Sequence, residues 1–222
     1  MILNEQLKRM KNMIKLIENV DEAYPASFNM EEFKNMKSFN QRIQYCEQNL
    51  QRISSGSSRI VYRIDDEKVL KLAKNKKGLA QNEAEVDFGT ESYLEGIVAE
   101  VFQYDENNMW VEMELAQKLN ESDFKRITGF NFKDYTAAIN NYHHERTNYR
   151  NGQKMDVDPN IVAQMWEDEF VYGIFQYIGN YDVPSGDLMR LSTYGIVKRD
   201  GKETIVLIDY GLTDDIYKTH YK

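Results

Sequence analysis

LQRISSGSSRIVYRIDDEKVLKLA, residues 50–73, decides how this chain folds. Three runs within it, Leu50–Ser54, Arg59–Ile64 and Lys68–Ala73, are short, rich in Val, Ile and Tyr, and bounded by turn formers, as strands are. Ser54-Ser55-Gly56-Ser57-Ser58 and Asp65-Asp66-Glu67 separate them as hairpin turns. The small side chains of the first turn let backbone N–H groups approach an anion such as phosphate. Hairpin turns are also Ser- and Gly-rich without any ligand. Lys71 stands mid-strand among Val69, Leu70, Leu72 and Ala73. Directed inward, it needs an anionic partner. Directed outward, it is a solvated strand lysine, and this segment alone leaves both readings open.

On the C-terminal side, residues 78–94 read as a helix, and its Glu83 or Glu85 could pair with Lys71. Strands follow at Val98–Tyr104 and Met109–Glu114, joined by the polar turn Asp105-Glu106-Asn107-Asn108. The order is strand, strand, strand, helix, strand, strand. Residues 121–144 read as helix and 145–158 as a polar loop. Asp158 as N-cap and Pro159 at the first position then start a helix to about Ile178. Its apolar residues Ile161, Met165, Trp166, Phe170, Ile174 and Phe175 predict burial in a helical lobe. Strands Tyr194–Arg199 and Thr204–Ile208 flank the hairpin turn Asp200-Gly201.

On the N-terminal side, residues 5–18 form an amphipathic pattern through Leu7, Met10, Met13, Ile14 and Ile17, with Asn4 as N-cap. Residues 30–50 read as a second helix, striped with Phe33, Met36, Ile43, Cys46 and Leu50; Asn29 and Glu32 resemble a capping box. No catalytic pattern occurs here. Residues 1–49 are therefore expected to be a helical extension able to bind a protein partner, with Cys46 packed in its core.

The 222 residues, 41% hydrophobic and 29% charged, are ordinary globular composition. No apolar run approaches the roughly 20 residues of a membrane helix, and MILNEQLKRMKNM lacks a signal-peptide core. One cysteine excludes a disulfide framework and a cysteine-rich zinc site, and three histidines argue against a histidine-led metal site. A cytoplasmic protein with no membrane partner is expected. The net charge of −8 disfavours nucleic acid. Residues 53–82 nevertheless carry +4 locally, so a single anion site inside an acidic chain is one reading of the island and a solvated strand face the other. Adjacent His143 and His144 read as surface residues, and Asp158 reads as a helix cap rather than part of a calcium loop.

Two aspartates flank the last hairpin: Asp187 in Ser185-Gly186-Asp187-Leu188, and Asp209 in Leu207-Ile208-Asp209-Tyr210-Gly211. An aspartate at the end of an apolar strand, followed closely by Gly, aims a carboxylate at a metal or substrate. Together with the strand lysine and the small-residue turn, residues 50–215 resemble the protein-kinase-like fold. Ser54–Val61 stands where that family has its Gly-rich loop, and Val69-Leu70-Lys71 resembles its phosphate-binding-lysine strand. Glu85 resembles the glutamate that pairs with this lysine, with Glu83 the reserve. Trp110-Val111-Glu112-Met113-Glu114-Leu115-Ala116 resembles the fifth strand and hinge. Ser185-Gly186-Asp187 resembles the catalytic loop, closer to the His-Gly-Asp of aminoglycoside-type small-molecule kinases, and Asp209-Tyr210-Gly211 resembles Asp-Phe-Gly. The stretch Gly186 to Leu212 also looks like small kinase-like proteins of tailed bacteriophages.

The resemblance implies an α+β, two-lobed fold. Residues 50–116 would be an N-lobe with a five-stranded antiparallel sheet, and residues 117–222 a truncated, mainly helical C-lobe. It implies ATP and Mg²⁺ as cofactors. Lys71 would hold phosphates, Asp209 the metal with Ser192 as a second ligand, and Asp187 would accept the acceptor's hydroxyl proton. Ser55, Gly56, Ser57, Ser58 and Val61 would cover the nucleotide. Met113 would be the gatekeeper, and Glu114 and Ala116 would meet the adenine. Arg59, Arg63, Lys68, Lys74 and Lys76 would surround the triphosphate.

The sequence also departs from that family. Only Gly56 remains of three loop glycines, Arg59 stands where the last would be, Ser185 replaces the histidine, and Ser192 the metal-binding asparagine. Eleven residues follow Gly211, so no activation segment or peptide-docking platform is expected. Two functions are consistent with this pattern. One is a phosphotransferase acting on a non-peptide or specific partner acceptor. The other is a catalytically inactive kinase-like module (a pseudokinase) serving as a phage virion, assembly or interaction component, placed in host cytoplasm or virion.

Overall fold

The computed structural model describes residues 24–91, 94–147, 154–181 and 183–221. The helix expected over 5–18 lies outside them. The chain divides into two compact units, one comprising residues up to Asn82 with Val101–Leu115, the other Glu83–Glu100 with Ala116 onward. The architecture is α+β, with a five-stranded antiparallel sheet in the first unit and a mainly helical second unit, as expected.

In the first unit, helices α1 (Met30–Asn35) and α2 (Phe39–Asn49) precede strands β1 (Gln51–Ser55), β2 (Arg59–Arg63) and β3 (Lys68–Ala73). Helix α3 (Lys76–Gly89), whose residues from Glu83 onward belong to the second unit, and strands β4 (Val101–Tyr104) and β5 (Trp110–Glu114) follow. The sheet order is β1-β2-β3-β5-β4. The single helix expected over 30–50 is two helices. Met36 is extended, and a new N-terminus forms where the Ser38 hydroxyl accepts the Gln41 N–H while the Gln41 side chain accepts the Ser38 N–H. That reciprocal box satisfies two donors that a continuous helix would not leave exposed. The Asn29 side chain caps α1 by accepting the Glu32 N–H at 2.9 Å.

Strand register sorts the sheet's residues by face, since directly opposed residues share one. Ile60, Leu72 and Trp110 form one row, and Tyr62, Leu70 and Glu112 a second. Both rows face Tyr24, Phe28, Phe33 and Cys46, which with them make one buried cluster. From Tyr24 onward, the residues expected as an extension are thus one wall of the sheet's core. Phe33 is fully buried, with its ring 6.2 Å from Trp110 and 5.2 Å from Phe28. Burial of such a side chain contributes about 1.5–3 kcal/mol. Tyr24 donates a 2.6 Å hydrogen bond to buried Glu112. Burial pushes the Glu112 carboxyl above its ordinary range, against the pull of Tyr24, Lys68 and Lys34. The Cys46 thiol, pushed up to about 12 by burial, packs as expected of a core residue.

The second unit adds β6 (Gln117–Lys118), α4 (Glu121–Thr128), α5 (Phe132–Thr147), α6 (Pro159–Met165), α7 (Glu169–Asn180) and α8 (Ser185–Leu188). A 3₁₀ turn at Leu191–Thr193, the β7–β8 hairpin (Tyr194–Arg199, Lys202–Leu207) and α9 (Asp214–His220) complete it. Two more expected helices are broken. The run 121–144 ends its first segment at Gly129, whose φ of 83° is left-handed and whose N–H closes on the Lys125 carbonyl. The run 159–178 restarts where the Asp168 carboxylate accepts the Val171 N–H at 2.9 Å. Asp158 does cap α6, with Pro159 at its first turn. Trp166, expected inside, is 39% exposed in the break.

The strand expected over 98–104 is divided. Val101–Tyr104 joins the first sheet, while Val98 bridges Leu207 in parallel and the Ala99 N–H donates to the Leu207 carbonyl. The hairpin closes on Asp200-Gly201 as expected. Strand β6 pairs with β7 and is too short at two residues to leave a pattern. No helix among the described residues is long and apolar enough to cross a membrane.

Candidate functional site

The first unit gathers Ser55–Ser58, Val61, Lys71 and Met113. Val61, Lys71 and Val111 are opposed across β2, β3 and β5, and Val69 is opposed to Met113. These residues therefore occupy the face opposite the aromatic cluster. Lys71 is 6% exposed, which removes the reading of a solvated strand lysine. Met113 is buried and Val61 partly so.

The turn after β1 is held through its carbonyls. The Lys74 ammonium donates to the Gly56 carbonyl at 2.9 Å, the Asn75 amide to Ser57 at 3.0 Å, and the Lys74 N–H to Ser58 at 2.8 Å. In a trans peptide the C=O and the next N–H point opposite ways. The N–H groups of Ser57, Ser58 and Arg59 are therefore turned away from the Lys74-Asn75 segment. The Ser58 hydroxyl is spent on Gln81, donating at 2.5 Å, so its side chain packs against α3. Ser55, Gly56 and Ser57 are exposed.

The basic island is not one ring. Arg59 is buried, its guanidinium on the Asn82 side chain at 3.4 Å. Arg63 and Lys68 lie at the other end of the β2–β3 hairpin. There Arg63 donates to Asp66 at 2.5 Å, and the Lys68 ammonium sits 5.4 Å over the Phe102 ring. Lys74 and Lys76 remain beside the turn. Register explains the difference: a five-residue strand puts Arg59 and Arg63 at opposite ends. At the expected hinge, the Leu115 N–H is engaged by the Glu67 carbonyl at 2.7 Å, between Glu114 and Ala116. Ala116 falls in the second unit, where it packs against Gly195.

The second unit holds Glu85, Asp187, Ser192 and Asp209. Glu85 is fully buried and accepts the Tyr210 N–H at 3.3 Å, whereas Glu83 is exposed. Asp187 lies in the single turn α8, and its carboxylate pairs with Arg190 at 3.2 Å. Burial raises the proton affinity of Asp187, Arg190 lowers it, and Asp209 raises it. The two aspartates are thus close enough to feel each other's charge. The Asp187 carbonyl accepts the Thr193 hydroxyl at 2.7 Å, and the Ile208 N–H donates to the Thr193 carbonyl at 2.9 Å. These bonds bring the Leu191–Thr193 turn alongside the residue before Asp209. Asp209 and Ser192 are both exposed.

Sequence reasoning missed four contributors. Asn75 joins Lys74 in anchoring the turn, Arg190 pairs with Asp187, and Tyr177 and Tyr194 donate to the Tyr210 and Leu188 carbonyls, each at 2.7 Å. Arg190 was legible as the i+3 neighbour of Asp187 once that segment is read as a helical turn. Nothing in the sequence distinguishes Tyr177 among fifteen tyrosines. His143, expected at the surface, is partly buried and lies 3.1 Å from the Val183 carbonyl.

Two carboxylates, exposed or half-exposed, suit a hard cation that keeps water and phosphate oxygens in its shell, which is the habit of Mg²⁺. Among the described residues no three His, Cys, Asp or Glu side chains form a complete protein cage for a metal.

No protein-family model matches the chain. No curated protein matches it. Among solved structures, the streptomycin-ATP-APH(2")-IIa ternary complex is 13% identical, over 80% of this chain and 72% of that one, with a TM-score of 0.34. The gentamicin-APH(2")-IIa complex is 12% identical, over 80% and 70%, at 0.34. The GDP and kanamycin complex of APH(2")-IIia is 12% identical, over 82% and 70%, at 0.32.

Proposed function

We propose that this chain is a kinase-like, ATP-binding protein that transfers the terminal phosphoryl group to a non-peptide or specific partner acceptor. The observation that carries the reading is Lys71, a lysine buried mid-sheet on the face away from the aromatic cluster, in the strand next to the anchored Ser-Gly turn. Its ammonium belongs to the face shared with Val61, Val111 and Met113, where a phosphate of ATP would accept a charge-assisted hydrogen bond from it. The outward N–H groups of Ser57 and Ser58 would meet other phosphate oxygens.

Asp209, with Ser192 as the lesser oxygen donor, would hold Mg²⁺, which supplies neutralisation of phosphate charge when bound. Asp187 accepts the acceptor's hydroxyl proton. The acceptor oxygen bonds to the terminal phosphorus as the bond to ADP breaks, and ADP leaves with the electron pair.

The test is calorimetric titration of ATP, with and without Mg²⁺, into the wild type, Lys71→Ala and Asp209→Ala. Metal-dependent binding that both variants weaken is expected. Absence of binding at millimolar ATP would overturn the reading. The second reading, a catalytically inactive kinase-like module, is favoured by the Arg190 guanidinium already on the Asp187 carboxylate. Nucleotide binding without Mg²⁺-dependent turnover would select it.

A further inference from the structure

Tyr210, the residue after Asp209, is held at three points. Its N–H donates to the buried Glu85 carboxylate at 3.3 Å, and its hydroxyl donates to the Ala99 carbonyl at 3.0 Å. Its carbonyl accepts the Tyr177 hydroxyl at 2.7 Å. Tyr177 is 1% exposed on α7, and its ring packs edge-on to Phe88 at 5.6 Å. Beyond Leu207 the β7–β8 ladder has ended, so regular sheet bonds no longer fix the backbone at Asp209 and Tyr210. A metal-binding carboxylate has to be held within a fraction of an ångström, and here a side-chain hydroxyl takes over from the ladder.

We propose that Tyr177 is a positioning residue for Asp209: its hydroxyl, through the Tyr210 carbonyl, sets where the Asp209 carboxylate stands for the metal. The proposal rests on the nucleotide-binding reading above. Tyr177 touches neither nucleotide nor metal in this account. Its effect belongs to the metal-dependent part of binding, whereas Lys71 and the Ser-Gly turn supply the metal-independent part.

The experiment is ATP calorimetry on wild type, Tyr177→Phe and Tyr62→Phe, each in Mg²⁺ and in EDTA, with thermal unfolding of the same samples. Tyr62 is also buried and donates a hydroxyl bond, to Glu47 in the first unit, so its variant reports the effect of losing such a bond elsewhere. Tyr177→Phe is expected to weaken binding about tenfold in Mg²⁺, the size typical of lost outer-shell partners, and to leave binding in EDTA unchanged. Tyr62→Phe is expected to lower the unfolding temperature without changing metal dependence. Equal binding by Tyr177→Phe and wild type in Mg²⁺, or an equal loss in Mg²⁺ and EDTA, overturns the proposal. If Tyr177→Phe does not fold, Phe88→Leu, which removes the ring packed edge-on against Tyr177, is expected to weaken binding in Mg²⁺ and leave it unchanged in EDTA, and an equal loss in both overturns the proposal. A wild type that binds no ATP overturns the function itself, and this proposal with it. A wild type that binds ATP identically with and without Mg²⁺ overturns the positioning role alone.

Discussion

Asp187 holds its proton to higher pH than an ordinary aspartate because burial disfavours its charged form. Arg190 pulls in the opposite direction and Asp209 adds to the rise. Removing each neighbour should therefore move the carboxyl in opposite senses. Arg190→Gln should raise the titration midpoint of Asp187, and Asp209→Asn should lower it, as read by carboxyl-carbon NMR against pH. If Asp187 acts as the proton acceptor, activity falls as pH drops through that midpoint, so the acid limb moves to higher pH in Arg190→Gln. A midpoint that falls in Arg190→Gln would show that the ion pair does not govern the group. Both neighbours are short-range partners in one unit, so salt should shrink the Arg190 effect, whose guanidinium is well exposed.

At the scale of elements, the turn after β1 depends on the start of α3. A Cβ placed on Gly78 would collide with the Ser58 carbonyl and stand 2.9 Å from the Ala73 Cα. In an unencumbered helix, replacing Gly with Ala stabilises by roughly 0.5–1 kcal/mol. Here the intruding methyl meets backbone, and overpacking of that kind costs about 1–3 kcal/mol. Gly78→Ala should therefore lower the unfolding temperature and, by pushing the Ser58 peptide, weaken ATP binding. A stabilised Gly78→Ala would mean that α3 is free to move away from the turn. The same contact explains why Ser58 packs inward while Gly56 and Ser57 stay exposed.

For the whole molecule, the helices before the sheet are a requirement of the fold. Ile60, Tyr62, Leu72 and Trp110 are all nearly or fully buried, and they face Tyr24, Phe28, Phe33 and Cys46. A chain beginning at Leu50 would leave that face to water. Such a face is an aggregation surface, so a 50–222 chain should be insoluble or lack native near-ultraviolet dichroism. A folded monomeric 50–222 chain, judged by size exclusion and dichroism, would make residues 1–49 a true appendage. The acidic excess lies outside residues 53–82, which leaves the unit with the Ser-Gly turn as the better host for an anion.

Strands β2 and β3 agree with the sequence reading to within a residue, and the Asp200-Gly201 hairpin also agrees. Alternation and turn chemistry are local, so a few neighbouring residues suffice to specify them. Helix continuity read less well. Apolar periodicity ran on through Met36, Gly129 and Trp166, while the caps at Ser38 and Asp168 and the left-handed Gly129 broke each run. A cap satisfies exposed backbone donors at once, and a continuing stripe of apolar residues does not. Of the candidate site, the residue types were legible: Lys71, Asp187 and Asp209 each carry their chemistry wherever they stand. Whether Lys71 faced protein or water, Glu85 rather than Glu83 being buried, and the Tyr177 bond were not legible. Each depends on strand register or on residues far apart in the chain, and such contacts are settled by packing, which no short window of sequence contains.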